Sequence, residues 1–196
     1  MQDFHQILQF LHKIEKLKTI KRQVSISDNS RKESPAEHTW RVAIMAMVLH
    51  RDLHLKVDLL KTLEIILVHD IVEAVADDTW ILDNNDVNSH TIKKQKELQA
   101  AKEIYSSLPD DIGEELESLW VEFETGNSEE AKFARALDKI EVIIQRIDLG
   151  ELNWERNDIY PILAHWADGP IEEFTALKKL WEEVQIELKD THNEEE

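Results

Sequence analysis

The chain has 196 residues and a formal net charge of −18, which opposes binding to nucleic-acid polymers or anionic membranes unless its bases are concentrated locally. Hydrophobic residues at 42% and charged residues at 33% suit one soluble globular domain with a real core. The absence of Cys excludes disulfides, thiolate metal sites and cysteine nucleophiles, and no apolar run reaches the roughly 18 residues that cross a bilayer.

With 4 Gly and 4 Pro, turns are sparse and long helices are expected. The first helix carries a stripe of Ile7, Leu8, Leu11, Ile14 and Leu17. This N-terminus lacks the apolar block and cleavage site of a signal peptide, so a cytoplasmic location is the expectation. A basic run, "KLKTIKR" (16–22), follows, then an irregular stretch, "QVSISDNSRKES" (23–34). The next helix has a clear start: Ser34 as cap, Pro35 in the first turn, and Glu37 three residues on to complete a capping box. "VDLLKTLEIILVHDIVEAV" (57–75) reads as one helix, apolar on most sides and therefore central. A second long connection, 77–90, precedes a more polar helix over 89–107 and another over 109–124. Residues 128–150 form a sixth helix between a Ser128 cap and a Gly150 stop. Ile171, Phe174, Leu177, Leu180, Trp181, Val184 and Leu188 stripe the last. No strand is predicted. The fold class is therefore all-α, a compact single-domain helical bundle over 1–190 with an acidic tail, 191–196, expected to fray.

The chemistry concentrates where the apolar pattern breaks. "LVHDIVEAVADDTW" (67–80) places His69, Asp70, Glu73, Asp77 and Asp78 where core-facing residues should continue. His38 lies on the helix beginning at Ser34, and Asp138 lies beside the buried face marked by Ala134, Leu137, Ile140 and Ile144. A buried carboxylate needs a partner. Two neutral imidazoles and two carboxylates cancel a 2+ charge, and this donor set suits one transition-metal ion: Mn, Fe, Co, Ni or Zn. Taken singly, each residue also reads as a core histidine, a cap or an ion-pair partner; the ordered set is the informative signal. His50 and His54 read as a surface helix end, and His90 and His165 lack partners in the pattern. Most of the six Trp are expected in the core, with Trp40 and Trp80 as candidate pocket walls.

"SPAEHTWRVAIMAMVL", "LVHDIVEAVADDTW" and "KFARALDKIEVII" resemble the signature segments of the HD-domain metal-dependent phosphohydrolases, most nearly the compact 5′-deoxynucleotidase-like branch, over residues 14–150. The resemblance implies an all-α fold, commonly a homodimer, with His38, His69, Asp70 and Asp138 as metal ligands. It implies that Glu73 handles a water at the metal and that Asp78, eight residues after Asp70, acts at the sugar or leaving oxygen. Arg22 matches an arginine that contacts phosphate in those enzymes, although Gln23 stands where they often carry Trp; Arg31 is a second phosphate candidate. The implied activity is removal of the 5′-phosphate from a (deoxy)nucleoside monophosphate. Two other readings compete: a phosphodiesterase or nucleotide pyrophosphohydrolase, marked by two metals, and a non-catalytic nucleotide-binding or scaffold protein with a structural metal.

Overall fold

The computed structural model describes residues 4–76, 87–150 and 167–193. Its helices in chain order are α1 (Phe4–Ile14), α2 (Pro35–Asp52), α3 (Leu59–Val68), α4 (Glu73–Ala76), α5 (Val87–Tyr105), α6 (Asp110–Thr125), α7 (Glu129–Leu149), α8 (167–173) and α9 (Lys178–Asn193). Short 3-10 turns follow α1, at Glu15–Lys18, and precede α9, at Thr175–Leu177. Among the described residues the β-structure is a single bridge between Ser25 and Lys32. Asp77, Asp78, Trp80 and His165, and the expected loop as far as residue 86, lie outside the described residues.

Local chemistry sets the helix ends. Ser34 Oγ accepts from Glu37 N, while Glu37 Oε2 accepts from Ser34 N at 3.0 Å, so the expected capping box is present. Asp58 caps α3 by accepting from Leu60 N and Lys61 N, and Ser128 Oγ caps α7 by accepting from Ala131 N at 3.0 Å. Gly126 ends α6 at φ +64°, where an added Cβ would lie 2.6 Å from Arg135 Nη1.

The most enclosed element is α7, not the helix expected at 57–75. Thirteen of the 21 residues of α7 are buried, whereas Leu60 and Leu67 of α3 face outward. One apolar cluster joins α2, α3, α7 and α9 through Val42, Ile65, Phe133, Ile140 and Leu188. A second joins α1 to α4, α5 and α6 through Phe10, Ala74, Ile104, Tyr105 and Trp120. The α1 stripe differs from expectation: Phe10 is buried, whereas Leu8 and Leu11 are about half exposed. The chain leaves the α-helix at Ile14, yet Ile7, Ile14 and Leu17 of the stripe all pack against this second cluster. At the other end, α9 runs to Asn193, so residues 191–193 of the expected tail are helical.

Two local departures place the site. Residues 57–75 are not one helix. α3 stops at Val68 with His69 as its C-cap, and the chain continues through tight turns in which Ile71 N, Glu73 N and Ala74 N donate to Val68, Asp70 and Ile71 carbonyls. These bonds span three residues rather than four, so the backbone winds more tightly and the side chains after Val68 leave the α-helical register. The irregular stretch 22–33 folds back on itself. Arg22 N donates to Glu33 O, Glu33 N to Val24 O, and Ile26 N to Arg31 O, around a turn with Asn29 at φ +53°. Asn tolerates that left-handed conformation. The result places Arg22 beside Glu33.

Candidate metal centre

Three segments converge. His38, in the second turn of α2, is fully buried; Asp138, midway along α7, is 8% exposed; His69, at the end of α3, is 5% exposed. His38 Nε2 lies 3.0 Å from Asp138 Oδ1, and His69 Nε2 lies 4.0 Å from the same oxygen. One donor atom from each of the three falls within 4.8 Å of the others. Donors around an ion with bonds of about 2.0–2.2 Å sit roughly 3–3.5 Å apart, so a small movement of His69 suffices. Asp70 stands at the edge: its Oδ1 is 3.2 Å from His69 Nε2, while its Oδ2 accepts from Arg22 Nη1 at 3.1 Å.

His69 provides the test of whether these residues suit an ion. Its Nδ1 donates to the Ile66 carbonyl at 2.6 Å, because a carbonyl can only accept. Neutral imidazole then carries its lone pair on Nε2. That atom is buried and has no hydrogen-bond partner among the described residues. A buried polar atom is seldom left so. A lone pair aimed at two carboxylates and a second imidazole fits a divalent cation, and the donor set of nitrogen and carboxylate oxygen fits the transition metals expected above.

The charges agree. Burial opposes ionisation of Asp138, yet Lys139 and the His38 hydrogen bond hold its carboxyl well below the usual range. Burial and the Arg22 charge oppose a second proton on His38, but Glu141 and Asp138 outweigh them and raise the imidazole to about 10. A proton therefore occupies the place that a cation fills, and the two compete. Burial, reinforced by the Glu141 charge, pushes Glu33 up to about 7.

A pocket of about 350 Å³ opens on one side of the centre, where Glu73 from the first turn of α4 lines the wall near His69, Asp70 and Asp138. Trp120 and Phe123 of α6 supply an apolar wall, and the Phe123 ring centroid is 4.9 Å from that of His69. Lys93 and Lys139 also line it. Lys139 reaches back so that Nζ donates to Asp138 Oδ2 at 2.7 Å.

Of the eight sequence-predicted residues, His38, His69 and Asp138 come together, Asp70 and Glu73 adjoin them, and Arg22 is tied in through Asp70. Arg31 is elsewhere: half exposed, it makes a bidentate pair with Glu37 of the capping box. Asp78 lies outside the described residues. Trp40 is 66% exposed, while Trp120 and Trp181 are core. Sequence reasoning missed Glu141, whose Oε2 is 2.5 Å from His38 Nδ1, and Glu33, whose Oε2 is 3.5 Å from Arg22 Nε. The signal for Glu141 was an acid inside the apolar run "IEVII", three residues after Asp138. Glu33 carried no comparable signal.

An all-α bundle that brings His38, the His69–Asp70 turn and Asp138 to one point has the layout of an HD domain, and residues 14–181 match that family. The chain belongs to the HD domain family. It is 38% identical over 147 residues to the protein named 5′-deoxynucleotidase HDDC2 of Mus musculus, covering 74% of this chain and 71% of that one. It is 37% identical to the Homo sapiens protein of that name, covering 74% and 69%. Among solved structures it is similar to a predicted metal-dependent phosphohydrolase from Magnetospirillum magnetotacticum MS-1, with a TM-score of 0.81 and 29% identity over 97% of this chain and 93% of that one.

Proposed function

We propose that the chain is a metal-dependent phosphomonoesterase that removes the 5′-phosphate from (deoxy)nucleoside monophosphates. The observation that carries this reading is the buried His69 Nε2, aimed at Asp138 beside His38 and a pocket of small-molecule size. The two relatives above are named as 5′-deoxynucleotidases, which supports the substrate class.

His38, His69, Asp138 and Asp70 would hold the ion. A divalent ion there supplies Lewis acidity, which brings the pKa of water down to near neutrality and polarises a phosphoryl oxygen. The remaining work falls to side chains. Glu73 orients the attacking water and accepts its proton at a carboxylate oxygen. Arg22 sits between Asp70 and Glu33 with its guanidinium held on two sides, ready to share charge with the phosphate. Lys139 and Lys93 add positive charge at the pocket, which a dianionic monoester requires. Trp120 and Phe123 offer an apolar surface to the nucleoside. Asp78 is proposed to act at the sugar or the leaving oxygen. A homodimer is proposed as well. Its support is the exposed α2 stripe of Trp40, Ile44, Met47 and Val48, spaced to share one helix face.

The test is a panel of ribo- and deoxyribonucleoside 5′-monophosphates against Mn, Co, Fe, Ni, Zn and Mg ions. Turnover of monophosphates supports the reading. Turnover confined to diesters or pyrophosphates, or none with any ion, contradicts it. Among the described residues no helix is long and apolar enough to cross a membrane.

A further inference from the structure

The side of His38 that faces away from the pocket meets a second cluster, and one member of it, Glu141, has no part in the chemistry above. Glu141 and His38 are both fully buried, and Glu141 Oε2 lies 2.5 Å from His38 Nδ1. Glu33, 4% exposed, closes the group, with one donor atom each of Glu33, His38 and Glu141 inside 4.8 Å. Arg41 Nη1 stands 3.7 Å from Glu141 Oε1 and is itself bonded to Gln145, while Nη2 is bonded to Asp148. Glu141 therefore sits between a guanidinium and an imidazole, and its own helix fixes it relative to Asp138.

The consequence follows from what each atom can do. A carboxylate accepts hydrogen bonds and donates none, so Nδ1 of His38 must carry the hydrogen of the pair. When an ion takes the place of the second proton, that leaves the lone pair on Nε2, the nitrogen 3.0 Å from Asp138 Oδ1. If Glu141 is removed, the other tautomer gains ground, because Nε2–H can donate to Asp138. The lone pair would then lie on Nδ1, the ring nitrogen turned away from Asp138, rather than at the centre. His69 has its own device, the Ile66 carbonyl on Nδ1.

We propose that Glu141 is a positioning residue of the metal centre, holding His38 in the tautomer and ring orientation that present Nε2 to the ion shared with His69 and Asp138. The proposal rests on the metal reading, and its test separates the two. Dissociation constants for Mn²⁺ and Co²⁺ are measured by chelator competition on the full chain for wild type, Glu141→Leu, Glu141→Gln and Ile140→Val. Nitrogen-edited spectra of the histidine rings are recorded on the Zn²⁺-loaded proteins.

Glu141→Leu is expected to bind about 10–100-fold more weakly with its helical content intact, the usual effect of removing a hydrogen-bond partner of a ligating histidine. Glu141→Gln keeps size and an acceptor oxygen but loses the charge; it should weaken binding less and leave a fraction of His38 rings not ligated through Nε2. Ile140→Val trims a buried neighbour of the same helix. It should lower the melting temperature and leave the metal constants alone, a split that a merely structural role for Glu141 would not give. Wild-type affinity together with an unchanged His38 tautomer in Glu141→Gln overturns the proposal even if the Leu variant fails to fold. So does a stoichiometry of two ions of which Glu141 variants lose one, since the Glu33, His38 and Glu141 group would then be a site of its own. A wild-type chain that binds no ion overturns the metal reading itself.

Discussion

The two histidines sit in contrasting regions. His38 is in the seam between α2 and α7, fully buried, with a carboxylate on each ring nitrogen. His69 is at the broken end of α3, fixed by one backbone carbonyl and open at Nε2 toward a pocket. The seam is built from two long helices with capped starts, so its geometry is set by packing. The turn after Val68 is built from short hydrogen bonds that carry Asp70 and Glu73 to the pocket wall. A regular helix through residues 69–73 would keep successive side chains about 100° apart, and the break sets them differently.

Substitutions on the two sides should therefore fail differently. The largest effect is expected at the oxygen both histidines face: Asp138→Ala should abolish metal binding and turnover, checked by metal content and a monophosphatase assay. Next is Glu73→Ala, which should keep its ion yet lose about 10²–10⁴-fold in kcat, the usual worth of a positioned proton acceptor. Loss of the ion along with activity would make Glu73 a ligand instead. Arg22→Ala should raise KM more than it lowers kcat, as the proposed place of its guanidinium on the phosphate requires.

A smaller effect comes from Glu33, on the seam side. Its carboxyl is raised from 4.5 to about 7, so the folded chain holds a proton there that the unfolded chain has released. The stability tied to that proton is present below 4.5 and falls as pH rises to about 7. Glu33→Gln cannot ionise. In melts of the metal-free chain its advantage over wild type should widen across that window and then level off. The smallest expected effect is Ser34→Ala, which should cost about 1 kcal/mol by thermal denaturation through loss of the cap, with the metal affinity unchanged.

The sequence made the seam legible and the turn only partly so. Ser34, Pro35 and Glu37 announced the start of α2, and Ser128 and Gly150 bounded α7, because capping is local chemistry. His38 and Asp138 stood out as polar residues on apolar faces. The break after Val68 was hidden, because "LEIILVHDIVEAV" is periodic throughout and nothing in it is Gly or Pro. Leu8 and Leu11 misled because the buried face of α1 runs through Ile7, Phe10 and Ile14, and these two leucines fall to one side of it. Lys139 gave no signal because adjacency along a helix separates directions, and only its long side chain spans that separation back to Asp138. Glu33 was illegible because only the fold-back of 22–33 carries it next to Arg22.

The most direct measurement is titration of the chain with Co²⁺, reading the ligand-field spectrum and the ion count together. One ion per chain is expected, with a spectrum lost in both His38→Ala and Asp138→Ala. An unchanged spectrum in those two variants, or no bound ion in the unaltered chain, would contradict a shared centre at these residues.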